Sequence, residues 1–222
     1  MAEKPPLRAV IFDADGVIID SERIWDLAQE EFLRRRGIAY DRDRVKPLCM
    51  SNSAVGAIRA LQELYGFEGD PEEMSRERIG LVREHYQKGI PLVDGFEAFH
   101  DAIRGQYLTA VATAMERGLL ETVAERLGLG QRFGGHIYTI ADVGDVPKPN
   151  PDIFLHAAMR LGAAPAECLV IEDSPNGIQA ARRAGMRCLA LTTTFGPATL
   201  AGADAVVAGF AGIPLANGTI NI

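Results

Sequence analysis

The chemically conspicuous residues of this chain are acids, and they stand at the ends of short apolar runs. Leu7-Arg8-Ala9-Val10-Ile11-Phe12 leads into Asp13-Ala14-Asp15-Gly16, Tyr107–Thr113 ends on a hydroxyl, and Cys168-Leu169-Val170-Ile171 leads into Glu172-Asp173. A cation, Lys148, lies between the last two runs, in Pro147-Lys148-Pro149-Asn150-Pro151, where prolines on both sides stiffen its backbone. Each feature alone has a plain explanation: an Asx turn, a β-former, a solvated lysine, a helix cap. Asp13-Ala14-Asp15-Gly16 is not a calcium loop of the EF-hand kind, because its glycine comes two positions too early and a strand precedes it. Together they place four acids, one hydroxyl and one cation at strand ends. A carboxylate cluster that dense repels itself unless a hard cation sits in it, and an oxygen-rich site with few protein ligands suits Mg²⁺.

Such residues must be brought to one edge by the elements that carry them. From Pro91 onward apolar periodicity alternates between helix and strand. Helices are expected over 96–104, 118–127, 151–161 and 177–184, and strands over 107–113, 136–138, 168–172, 187–192 and 205–207. Alternation of this kind implies βαβ units and a mostly parallel sheet covered by helices on both faces. In such sheets ligands bind outside the carboxyl ends of the strands. Residues 20–90 lack strand-like runs. Ile24, Trp25, Ala28, Phe32 and Leu33, then Ala57, Ile58, Leu61 and Leu64, then Met74 to Tyr86 after Pro71, recur at helical spacing. The expected organisation is α/β, a Rossmann-like mostly parallel sheet core of residues 1–19 and 91–222 with an inserted α-helical domain over 20–90. The tail from Asn217 is expected to fray.

The 222 residues carry 23 Lys+Arg against 30 Asp+Glu, a net charge of −7. That balance argues against nucleic acid or an anionic membrane as partner, yet leaves room for a small anionic substrate met by local positive charge. Three widely spaced cysteines with no CxxC pair argue against a disulfide framework or a structural zinc. No signal-like apolar segment opens the chain and no apolar run reaches membrane-spanning length, so a cytoplasmic monomer is expected. The four histidines are scattered and read as structural or exposed; Arg34-Arg35-Arg36 reads as a solvated helix end, Trp25 as core of the insert, and Arg78 as a cation that could reach a substrate anion.

Ile11-Phe12-Asp13-Ala14-Asp15-Gly16-Val17-Ile18-Ile19-Asp20-Ser21-Glu22 resembles the first motif of the haloacid dehalogenase superfamily. Ala112-Thr113, Lys148-Pro149 with Pro151-Asp152, and Val170-Ile171-Glu172-Asp173-Ser174 are similar to its second, third and fourth. The continuation through Asn176, Gly177, Ala180, Ala181, Ala184 and Gly185 resembles its β-phosphoglucomutase-like and sugar-phosphatase branch, whose cap domain occupies the place of the helical insert. The resemblance implies hydrolysis of a small phosphorylated metabolite, a sugar phosphate or a phosphoglycolate-like ester. Asp13 would be the nucleophile and Asp15 the acid and base. Thr113, with backbone N–H groups around Ala14, Asp15 and Ala114, would hold the phosphoryl oxygens, and Lys148 would neutralise charge. Mg²⁺ would be bound by Asp13, the Asp15 carbonyl, Asp173 and, directly or through water, Glu172. The family's second Asp position is acidic here, as phosphate chemistry requires and dehalogenation does not. In the loop of the insert, Met50, Ser51, Asn52 and Ser53 are expected to face the alcohol, but the glycine and arginine of the phosphoglucomutases are missing there and Met115 replaces a small polar residue. These departures favour a phosphatase. The alternatives are a phosphomutase and a non-catalytic phosphate-binding regulatory protein.

Overall fold

A computed structural model describes residues 5–50 and 53–222. In chain order the elements are β1 (Ala9–Phe12), α1 (Glu22–Arg34), α2 (Arg42–Met50), α3 (Ala54–Tyr65), α4 (Pro71–Lys88), α5 (Phe96–Ile103), β2 (Leu108–Thr113), α6 (Arg117–Leu127), α7 (Leu129–Arg132), β3 (Ile137–Thr139), α8 (Asp152–Leu161), β4 (Cys168–Glu172), α9 (Pro175–Arg183), β5 (Arg187–Leu191), β6 (Ala205–Val207), β7 (Leu215–Ala216) and β8 (Thr219–Ile220). The first six strands form one parallel sheet in the order β3-β2-β1-β4-β5-β6. The chain separates into two compact units, one of residues up to Asp20 with Pro91–Ile222, the other of Ser21–Ile90.

The α/β unit is a Rossmann-like fold, and its two sheet faces are packed differently. β1 and β4 are buried along their whole length, which is why they read as unbroken apolar runs rather than alternating ones. One face mixes sizes: the small Ala9, Ala110, Ala112, Cys168, Cys188 and Ala190 of the strands, with Ile11 and Val170, share a core with Ala157, Ala158, Ala180 and Ala181 of α8 and α9 and with the larger Ile153, Phe154 and Ile178. Alternation of small and large side chains lets helix and sheet surfaces interdigitate at the density of a close-packed interior. The other face is aromatic: Phe12 makes edge contacts with Phe96, Phe99 and Phe133 and packs beside His100. Burying one ring of that size contributes about 1.5–3 kcal/mol.

Register sets the functional edge. Phe12 lies opposite Val111 of β2 and Ile171 of β4, so the residues just beyond, Asp13, Thr113 and Glu172, emerge together at the carboxyl ends. The junction of β1 with β4 is where the strand order reverses, the place where such sheets open a crevice.

In the helical unit Ile24, Ala28, Phe32 and Leu33 of α1, Ala57, Ile58 and Leu61 of α3, and Leu81, Val82 and Tyr86 of α4 are buried, as the spacing predicts. Asp70 caps α4 by accepting from the Glu72 N–H, with Pro71 at the first helical position. Two expectations need correction. Residues 42–50 form α2 despite Pro47, where the sequence reads as a loop. Proline forfeits one N–H bond and crowds the carbonyl four residues back, that of Asp43, and both residues are exposed, so water can take up the displaced carbonyl. The chain end does not fray. Leu215–Ala216 and Thr219–Ile220 pair antiparallel across Asn217-Gly218, both with positive φ, and the Ile220 N–H donates to the Tyr107 hydroxyl at 3.1 Å.

Candidate active site

β1 ends by projecting Asp13, whose N–H donates to the Ile171 carbonyl of β4 at 3.0 Å, extending the ladder by one residue. The chain then curls. The Ala14 carbonyl accepts from the N–H groups of Val17, Ile18 and Ile19, and the Gly16 N–H donates to Ile19. Gly16 has φ +72°, and a Cβ there would overlap Asp173 Oδ2. Both its conformation and its lack of a side chain are needed to admit that carboxylate. The Thr193 hydroxyl donates to the Gly16 carbonyl at 2.5 Å and holds the turn from the loop after β5.

Around Asp13 the charges are buried and close. Lys148 Nζ donates to Asp13 Oδ1 and to Glu172 Oε1, both at 2.6 Å, and lies 4.7 Å from the centre of the Phe154 ring. The other Glu172 oxygen accepts from the Asp173 and Ser174 N–H groups and the Ser174 hydroxyl, at 2.9–3.0 Å. Ser174 Oγ in turn accepts from the Gly177 N–H and caps α9. A Cβ on Gly177 would overlap the Glu172 carboxylate, so this glycine is a cradle for that side chain. Thr113 is buried, its Oγ accepting from the Met115 N–H at 3.1 Å.

One oxygen from each of Asp13, Glu172 and Asp173 can be chosen so that all three lie within 4.8 Å of one another. Burial pushes the Asp13 carboxyl up to about 7 against the pull of Lys148, with Glu172 and Asp15 adding to the rise. Burial, then Glu172 and Asp13, hold Asp173 well above the usual carboxylate range. Burial works against the Lys148 ammonium too, but Asp13 and Glu172 outweigh it and raise the group above its ordinary value. Three carboxylates against one ammonium is an anionic, oxygen-only donor set, and it fits a hard divalent cation.

The structure thus brings Asp13, Thr113, Lys148, Glu172 and Asp173 to one edge, with Asp15 half-buried two residues past β1. Ala14 is buried beneath the turn and Ala114 is exposed just past β2. Of the residues expected to read the alcohol, Met50 ends α2 rather than lying in a loop, and Ser53 accepts from the Gly56 N–H as the cap of α3. Ser51 and Asn52 lie outside the described residues. Sequence reasoning missed Thr193 and Thr194, the latter hydrogen-bonded to the Asp173 side chain. Their signal was position, three threonines running off the end of β5 at the edge where the acids emerge.

A protein-family model for haloacid dehalogenase-like hydrolases matches residues 7–185. The fructose-1-phosphate phosphatase YqaB of Escherichia coli is 36% identical over 181 residues, which is 80% of this chain and 92% of that protein. The validoxylamine A 7'-phosphate phosphatase of Streptomyces hygroscopicus is 30% identical over 90% of this chain and 92% of its own. Among solved structures, a HAD family hydrolase of Deinococcus radiodurans with bound phosphate and sodium superposes with a TM-score of 0.78 at 29% identity, covering 93% of each chain.

Proposed function

The chain belongs to the haloacid dehalogenase-like hydrolase family, and from that premise we propose that it hydrolyses a small phosphate monoester, of a sugar or a similar metabolite, through a phosphoryl group carried on Asp13. The observation that carries this reading is the pair of 2.6 Å bonds from Lys148 to Asp13 and Glu172. A carboxylate held by one cation keeps its nucleophilic oxygen aimed while part of its charge is offset.

Asp13 attacks phosphorus in line with the leaving oxygen. Asp15, two residues on, gives that oxygen its proton and then takes one from the water that cleaves the acyl phosphate. Thr113 and the N–H groups of Ala14, Asp15 and Ala114 bind the phosphoryl oxygens, whose charge spreads in the transition state. Asp13, Asp173 and the Asp15 carbonyl would hold Mg²⁺, with Glu172 beside them. When bound, the ion supplies charge that offsets repulsion between nucleophile and ester. Glu172 has a second duty, since both its oxygens already accept hydrogen bonds: it fixes Lys148 and the start of α9. The relatives YqaB and hexitol phosphatase B of E. coli support a phosphorylated sugar or polyol as substrate.

Release of inorganic phosphate from a panel of sugar and polyol phosphates, with mass-spectrometric detection of a phosphoryl group on Asp13 after rapid acid quench, tests the reading. Isomerised product without free phosphate would make the protein a mutase instead.

A further inference from the structure

Arg78, on α4, is only 6% exposed, and its Nε is buried with no hydrogen-bond partner. Among the described residues its guanidinium has no carboxylate in ion-pair reach; its one close polar-aromatic contact is the Trp25 ring, 5.0 Å away. Four acids of α1 and α4 pair with other cations: Glu22 with Lys46 and Arg42, Asp26 with Arg42, Glu31 with Arg34 and Arg35, Glu77 with Arg35 and Arg36. Cys49 of α2 feels the charge of Arg78, and its thiol donates at 2.6 Å to Oε1 of Gln29 on α1. Gln29 is buried, whereas Trp25 and Cys49 are half-buried, so this corner of three helices has an open side.

A buried guanidinium without a counter-ion is costly, and its planar fork matches carboxylate or phosphate. We propose that Arg78, with Trp25, Gln29 and Cys49, forms an oxyanion site of the helical unit, taking a carboxylate or phosphate group of a small metabolite. Two sources share that chemistry: a second anionic group on the substrate, which would rest on the phosphatase reading above, or a free anion acting as effector.

Cys49 is the reporter. Cys168 and Cys188 are fully buried, so alkylation of the native full-length protein by iodoacetamide reads Cys49. An anion on Arg78 both shields the thiol and cancels the positive charge that favours its thiolate. At constant ionic strength, inorganic phosphate is expected to slow alkylation saturably in the wild type. That slowing is expected to vanish in Arg78→Met and Arg78→Gln and to survive, weakened, in Arg78→Lys, which keeps the charge should the neutral variants fail to fold. Phosphate held at Asp13 is common to all these proteins, so the difference between them reads Arg78. No slowing in the wild type, or equal slowing in Arg78→Met, overturns the proposal. A second measurement separates the sources. If the anion belongs to the substrate, Arg78→Gln lowers the ratio of kcat/KM for 3-phosphoglycerate to that for glycerol 3-phosphate on the order of 30-fold. A ratio left in place, with protection lost, assigns the site to a free anion. Absence of all phosphatase activity would sink the proposed function while leaving the alkylation result to stand or fall by itself.

Discussion

The two units handle charge in opposite ways. In the α/β unit, Asp13, Glu172 and Asp173 are buried around one ammonium, and the surplus is negative. In the helical unit the ion pairs keep some solvent, from Lys46–Glu22 at 17% and 22% side-chain exposure to Arg35–Glu77 at 44% and 30%, while that unit's one buried charge without a counter-ion among the described residues is the positive Arg78. Exposed pairs contribute little and tolerate change, whereas buried unbalanced charge is expensive and persists where function uses it. The contrast separates what holds each unit together from what each can bind.

The largest effect should come from the nucleophile. Asp13→Asn is nearly isosteric but removes the attacking charge, so phosphate release should fall to below about 1% of wild type while the fold is kept. Activity above that level would end the covalent mechanism and, with it, the reading of the negative surplus as catalytic.

Chelation comes next. EDTA should abolish phosphate release and Mg²⁺ restore it, with Ca²⁺ inhibiting because its looser coordination spoils the in-line geometry. Mg²⁺ should also raise the melting temperature of the wild type and do so much less in Asp173→Asn, a readout independent of turnover. An enzyme indifferent to chelators would mean that the clustered acids serve only Lys148.

Gly177→Ala tests the cradle. The new methyl displaces the Glu172 carboxylate, and with it one of the two anchors of Lys148. A loss of about 10- to 100-fold in kcat with little change in KM is expected, since the effect falls on charge placement rather than on binding. Equal loss in both parameters would make Gly177 a matter of general packing.

Acid should act through His100. Burial, then Arg132, pushes its imidazole down to about 4, against an ordinary 6.5. The unfolded chain therefore binds the extra proton first. The contribution is complete above about pH 6.5 and is lost as pH falls toward 4, about 2–3 kcal/mol in all. Melting curves of His100→Gln should lack that increment of acid sensitivity. The smallest change is expected from Glu77→Gln, at under about 1 kcal/mol by denaturant titration, because its partners are partly solvated. A larger loss there would erase the distinction between the units.

Much of this was legible in the chain. Strand ends are local facts, and a buried parallel strand announces itself as an apolar run that stops at a polar residue, so the sequence alone places Asp13, Thr113 and Glu172-Asp173 on one edge. Helical stripes located α1, α3 and α4 for the same reason. What escaped depended on contacts distant in sequence or on a rule overridden locally. Pro47 reads as a break, yet α2 runs through it where its lost bond is solvated. Asn217-Gly218 is a hairpin signal, but its arms have two residues each and their anchor, Tyr107, is far upstream. The double engagement of Glu172 could not be read either, because nothing in Gly177 alone says whose carboxylate fills the space it leaves.

The stretch from Ile18 to Asp20 and its return, Pro91 to Val93, are fastened to each other: the Asp20 N–H donates to the Pro91 carbonyl, the Val93 N–H to that of Ile18, and Ile19 bridges Leu92 antiparallel. Everything between leaves and re-enters the α/β unit through one stitched neck. Loop-closure entropy grows only logarithmically, about 0.6 kcal/mol per doubling of length, so hosting Ser21–Ile90 there instead of a four-residue turn costs roughly 2–3 kcal/mol. An insertion point already closed by hydrogen bonds is one where segments of very different length can be exchanged without rethreading the sheet, which makes the neck a natural port for grafting.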